Sequence, residues 1–225
     1  MINPHIINSS SVLDSFVSNI ESAVEMAENY VVSKLNILEP IDIVFHEYGI
    51  FSSVILEDGI GGRTETSSLV RVSLDTDKES LDKDIIFETI CHELCHVARW
   101  QKNSEYSTTL LDTLIFEGLA TVFEETALID NHISEKQYFL SEIINRNTEE
   151  DEKILALLKK DLDNGDYDYY KIFFDGDDAL PKWSGYSLGY YLVKKYLSNT
   201  NQKIEEVFDK KYSEIKKGVI DTITY

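Results

Sequence analysis

The residues with the clearest chemistry lie in TICHELCHVARW, residues 89–100, where His92, Glu93 and His96 form the pattern HExxH within an apolar-periodic stretch. Four residues advance a helix by about 400°, so His92 and His96 stand one turn apart on one face and can aim two imidazole nitrogens at one ion. Glu93 lies about 100° round from His92 and roughly 60° from His96, near enough to reach a water at that ion without taking a coordination position. The geometry predicts zinc-assisted hydrolysis with Glu93 as general base. Catalytic zinc takes three protein ligands and leaves a fourth position open. Glu117, 21 residues beyond His96 in LLDTLIFEGLATVFEE, is the expected third ligand. A carboxylate inside LIFEGLA is costly to bury unless paired or metal-bound, and Gly118 beside it leaves room for close helix contact.

These side chains need two neighbouring helices, and the periodicity supplies them over residues 84–102 and 106–130, with further helices at 134–146, 149–162, 184–198 and 202–213. Apolar residues at spacings of three and four over 11–38 predict an opening helix, closed before Pro40. Three strands follow: two in residues 41–57, on either side of Gly49, and one in SLVRVSLD, residues 68–75. The link DGIGGRTETS between the last two is glycine-rich and predicts a loop; it lacks both phosphate-cradling glycine patterns. The expected fold is α+β, with a small N-terminal mixed sheet packed on a mainly helical metallopeptidase-like body. The expected domain is a single one over residues 1–225, its N-terminal helix and sheet at about 1–75 and its helical active-site body at about 80–225.

The set ICHELCHVARW, TLLDTLIFEGLATVFEE and LPKWSGYSLGYYLVKKYL resembles the YjaZ-like family of predicted zinc-dependent proteases, over roughly residues 68–198. HExxH followed some twenty residues later by EGLA is similar to the gluzincin metallopeptidases. The resemblance implies Zn2+ on His92, His96 and Glu117, with Glu93 as the base, in agreement with the spacing argument. A tetrahedral oxyanion needs a placed donor. YSLGYYLV resembles the tyrosine-x-x-glycine helix from which gluzincin aminopeptidases present a phenol, which implies Tyr186 in that role, with Tyr190 one turn later as the alternative. The resemblance also implies that the strand Leu69–Leu74 is an edge that pairs with extended substrate, an interior strand being the competing view. GGRTE departs from the aminopeptidase glycine-acid motif and leaves Glu65 outside the expected site.

The chain has 225 residues, 41 Asp and Glu against 21 Lys and Arg, and a formal charge of −20. Such a surface repels phosphate backbones and anionic lipids, which excludes nucleic acid as a partner. No apolar run reaches the eighteen or so residues of a membrane span, and residues 1–16 lack a secretory leader pattern, so the expectation is a cytoplasmic protein with no membrane partner. The expected partner is a peptide or protein substrate; oligomeric state is not encoded in any motif. Cys91 and Cys95, four apart on a helix, predict reduced, buried thiols rather than a disulfide or extra metal ligands. Arg99 can support the site by pairing with an acid on the next helix, a plain surface salt bridge being the equal alternative. Thr121 stands where some zinc peptidases keep an aspartate behind a ligand. His5, His46 and His132 have no partner at ligand spacing, and the acidic stretch from Asp161 to Asp178 reads as a solvated loop. The alternative to a peptidase is a non-catalytic zinc-binding interaction or chaperone-like module, against which the intact Glu93 speaks, since a structural site needs no base.

Overall fold

A computed structural model describes residues 1–49, 54–78, 81–102 and 108–224. Two compact units are present, Met1–Ser104 with Phe123–Phe139 and Glu105–Val122 with Leu140–Tyr225, and one continuous helix, α3 (Leu110–Asp130), runs from the second into the first. The fold is α+β with a mixed sheet, as the sequence predicts.

In the first unit the described residues form a four-stranded sheet from β1 (Ile2–Ile7), β2 (Ile41–Glu47), β3 (Ile60–Thr66) and β4 (Leu69–Leu74), in the order β1-β2-β4-β3. β1 and β2 are parallel, as are β2 and β4, while β3 and β4 run antiparallel. Alternation sets the packed face: Ile41, Ile43 and Phe45 of β2 and Val70, Val72 and Leu74 of β4 are fully buried. Two helices, α1 (Val17–Ala27) and α2 (Lys83–Lys102), pack together, α1 reaching β1 and α2 covering β3 and β4. Burial of such side chains is worth about 1.5–3 kcal/mol each.

Three expectations are corrected here. The chain opens on a strand, not a helix: β1 is an edge, and its Pro4 is tolerated there because an edge strand need not donate every N–H. The opening helix is also shorter than 11–38, giving way to a π-helical turn at Glu28–Val32. Part of the expected glycine-rich loop is the edge strand β3, which makes Leu69–Leu74 an interior strand. Of the strand expected in the second half of 41–57, residues 50–53 lie outside the described residues, and Ile55 forms only an isolated bridge to Ile60.

The second unit holds the N-terminal half of α3 with α5 (Thr148–Leu158), α6 (Ser184–Thr200), α7 (Ile204–Val207) and α8 (Tyr212–Thr224); α4 (Tyr138–Ile144) begins in the first unit. The helix expected over 202–213 is two helices, α7 and α8. Asp112 of α3 accepts bonds from Tyr212 and, at 2.6 Å, from Lys216, which fixes α8. Those donors, with Thr108 and Thr109, hold its carboxyl well below the usual aspartate range against the desolvation that would raise it. Gly118 of α3 and Gly189 of α6 let two helix backbones touch: a Cβ at Gly118 would lie 2.3 Å from the Gly189 carbonyl oxygen, and one at Gly189 would lie 2.3 Å from the Leu114 carbonyl oxygen. Backbone cannot yield as a flexible side chain can. Gly189→Ala is therefore expected to cost about 1–3 kcal/mol and to lower the melting temperature by several degrees in a thermal melt; an unchanged transition would contradict this packing.

Candidate metal centre

α2 carries the HExxH residues in its buried middle, and α3 carries Glu117. His92, His96 and Glu117 each offer a ligand atom, and these atoms lie within 4.8 Å of one another. His96 is 6% exposed and Glu117 8%, so both offer their ligand atoms where water is scarce. The two imidazole rings stand 5.0 Å apart between centroids, edge to face at 78°. Zinc bonds of about 2.0–2.2 Å to nitrogen and oxygen imply tetrahedral donor separations of about 3.4 Å, within reach of small side-chain rotations from the observed spread. Two imidazoles and one carboxylate with a position left over fit zinc.

Glu93 projects toward β3. Thr64 Oγ1 donates to Glu93 Oε2 at 2.8 Å and also lies 3.0 Å from the Glu93 carbonyl oxygen. Gly62 makes the room: a Cβ there would meet Glu93 Cγ at 2.5 Å and Oε1 at 2.6 Å. Within the segment that reads as a loop, Gly62 is thus a strand position shaved to admit a buried carboxylate. This explains why turn chemistry misidentifies the segment.

Behind His92 stands Glu124, a residue outside the HExxH and EGLA motifs. It is 2% exposed, and His92 Nδ1 and Glu124 Oε2 are 2.9 Å apart. With Nδ1–H donated to Glu124, the lone pair of His92 resides on Nε2, as a metal ligand requires. Burial pushes the Glu124 carboxyl up, while the His92 bond opposes that shift. Its position was available to reasoning, since Glu124 lies seven residues, two helical turns, beyond Glu117 on the same face of α3. Thr121, where the sequence suggests an outer partner, instead donates to the carbonyl of Glu117 at 2.9 Å and stays within its own helix.

The other expected residues fall as follows. Tyr186 is 8% exposed on α6, its ring edge-on to Phe173 and Phe174. Tyr190, one turn on, is half-buried beneath the Lys194 ammonium. Arg99 is buried at 2% exposure, so it is no surface ion pair. Glu65 accepts from Arg71 Nε at 2.6 Å and lies near Arg63, on the strand face opposite Gly62 and Thr64. His5 meets Asp42, and His46 bonds the Glu47 carbonyl. In the acidic stretch Asp177 pairs with Lys171 at 2.5 Å and caps the Ala179 and Leu180 N–H groups.

Residues 31–217 match the family model described as "Predicted Zn-dependent protease (DUF2268)". The chain belongs to that family, and Zn2+ is the cofactor the family description specifies. No curated protein and no solved structure gives a significant match. Among the described residues no helix is long and apolar enough to cross a membrane.

Cys91 and Cys95 flank the imidazoles in sequence yet are buried, Cys95 Sγ donating to the Cys91 carbonyl at 3.2 Å. Desolvation and then the charge of Glu124 hold the Cys91 thiol well above its ordinary range, and desolvation does the same for Cys95. Neither suits the thiolate that metal binding needs. Ellman's reagent at pH 8 is expected to label neither thiol in the native protein and both after denaturation; rapid labelling of the native state would contradict this burial.

Proposed function

We propose that the chain is a zinc-dependent peptidase of gluzincin type, with His92, His96 and Glu117 holding Zn2+ and Glu93 acting as general base. The observation that carries this reading is the convergence of three donor atoms within 4.8 Å, with the Glu93 carboxylate one residue from His92 and tethered by Thr64. Zinc held there supplies a Lewis acid that lowers the pKa of water toward about 7 and polarises a peptide carbonyl. Glu93 accepts a proton from the attacking water and returns it to the leaving amine nitrogen as the C–N bond breaks, which restores the carboxylate. Tyr186 is the residue we assign to donate to the developing oxyanion.

β3 lies at the edge of the four-stranded sheet, a position that suits extended peptide, because an edge strand can offer N–H and C=O groups for backbone pairing. Thr64 and Gly62 on that strand touch Glu93, so a peptide lying along β3 would pass beside the base. The family match spans both compact units, which supports treating them as one functional domain. Buried, reduced thiols suit a cytoplasmic enzyme. A structural zinc site would close its fourth position and would have no use for a tethered carboxylate beside its ligands.

The test is a peptide-library cleavage profile of wild-type protein with and without a chelator, together with Glu93→Gln. Wild type is expected to cleave, to stop on zinc removal and to recover on zinc addition. Glu93→Gln should lose about 10²- to 10⁴-fold in turnover while keeping one equivalent of zinc. Chelator-resistant cleavage, or an unchanged Glu93→Gln rate, would contradict the mechanism.

A further inference from the structure

We infer that Glu88 is a positioning residue of the metal centre: it holds Glu124 against His92 and thereby sets how tightly the site binds zinc. The inference rests on the reading of His92 as a zinc ligand. Glu88 is fully buried on α2, one turn before His92. It and Glu124 hydrogen-bond each other through their side chains. Two carboxyl groups can do so only with a proton between them.

Glu88 is the member placed to carry that proton. Burial, followed by the negative charge of Glu124, pushes its carboxyl well above the usual glutamate range. Glu124 Oε2 in turn lies 2.9 Å from His92 Nδ1 and accepts from that N–H, which leaves Glu88 as the donor between the two carboxyl groups. The far side of Glu88 is anchored by the Gln137 N–H, which lies 3.0 and 3.2 Å from its two oxygens. Gln137 is itself fixed, its Nε2 donating to Thr89 Oγ1 at 2.8 Å and to the Ile85 carbonyl at 3.1 Å. The next two N–H groups, of Tyr138 and Phe139, go to the buried carboxylate of Asp58. A continuous line therefore runs from the start of α4 through Glu88 and Glu124 to His92.

Such a line does more than satisfy buried polar atoms. A carboxylic acid donating to one part of Glu124 restricts its rotation and keeps Oε2 on Nδ1–H, which holds the imidazole in the tautomer with a free Nε2. A residue that only filled space would affect stability and leave the coupling to zinc unaffected.

The experiment measures zinc dissociation constants by competition with a chromophoric chelator for wild type, Glu88→Leu, Glu124→Ala and the double variant. Each single substitution is expected to weaken zinc binding about 10- to 100-fold. The double variant should bind no more weakly than Glu124→Ala alone, because Glu88 acts through Glu124. Glu88→Gln, whose amide can donate to Glu124 and accept from Gln137, should stay close to wild type. Wild-type affinity in Glu88→Leu, or a double variant that loses the product of the two single effects, would overturn the inference. If circular dichroism shows Glu88→Leu unfolded, Glu88→Ala takes its place in the cycle with the same expectations. Wild-type protein that binds no zinc would overturn the metal-centre reading as well, so the two failures are distinguishable.

Discussion

Placing anions where water cannot reach them is the constraint around which the α2 and α3 helices are built. Glu88, Glu93, Glu117 and Glu124 are all 8% exposed or less. Two unit charges 4 Å apart repel by about 4 kcal/mol at an effective dielectric of 20. A compact protein tolerates such a cluster only if positive charge or shared protons enter it. Each group here has a partner of that kind or a hydrogen-bond donor beside it: the Glu88 and Glu124 side chains hydrogen-bond each other, the His92 imidazole meets Glu124, the Thr64 hydroxyl donates to Glu93, and Glu117 lies beside the two imidazoles. A divalent cation held there, as we propose, would turn a destabilising concentration of carboxylates into a source of stability, because metal binding is coupled to the folded arrangement of its ligands.

The backbone around these groups is shaped to the same end. β3 is thinned by glycine at position 62 so that the Glu93 side chain can lie against it, and Thr64 two residues later holds the carboxylate. In the second unit, Gly118 immediately follows Glu117 and lets α3 meet α6 backbone to backbone. In both places a missing Cβ permits a close approach that a larger residue would block. Chemistry and packing are thus set by the same few residues.

Much of this was legible in the chain. HExxH and Glu117 stand out because helical periodicity is a strong local pattern, and a lone acid within an apolar run has few explanations. The same logic extends to Glu124, two turns past Glu117, and to Glu88, one turn before His92, but their role depends on a contact between helices that no local pattern specifies. β3 is hidden from sequence because Gly61 and Gly62 carry the usual mark of a turn, and the position of Glu93 explains why a strand has glycine at 62. β1 is not legible in the sequence because Asn3, Pro4 and His5 dilute its alternation, and its pairing with β2 is between distant segments. The break between α7 and α8 has no local mark, since residues 208–211 contain neither glycine nor proline.

Zinc K-edge X-ray absorption on the zinc-loaded protein tests the central claim most directly. The account predicts a first shell of nitrogen and oxygen only, at about 2.0–2.1 Å, with the outer scattering of two imidazoles. Sulfur at about 2.3 Å, or the scattering of fewer than two imidazoles, would contradict it.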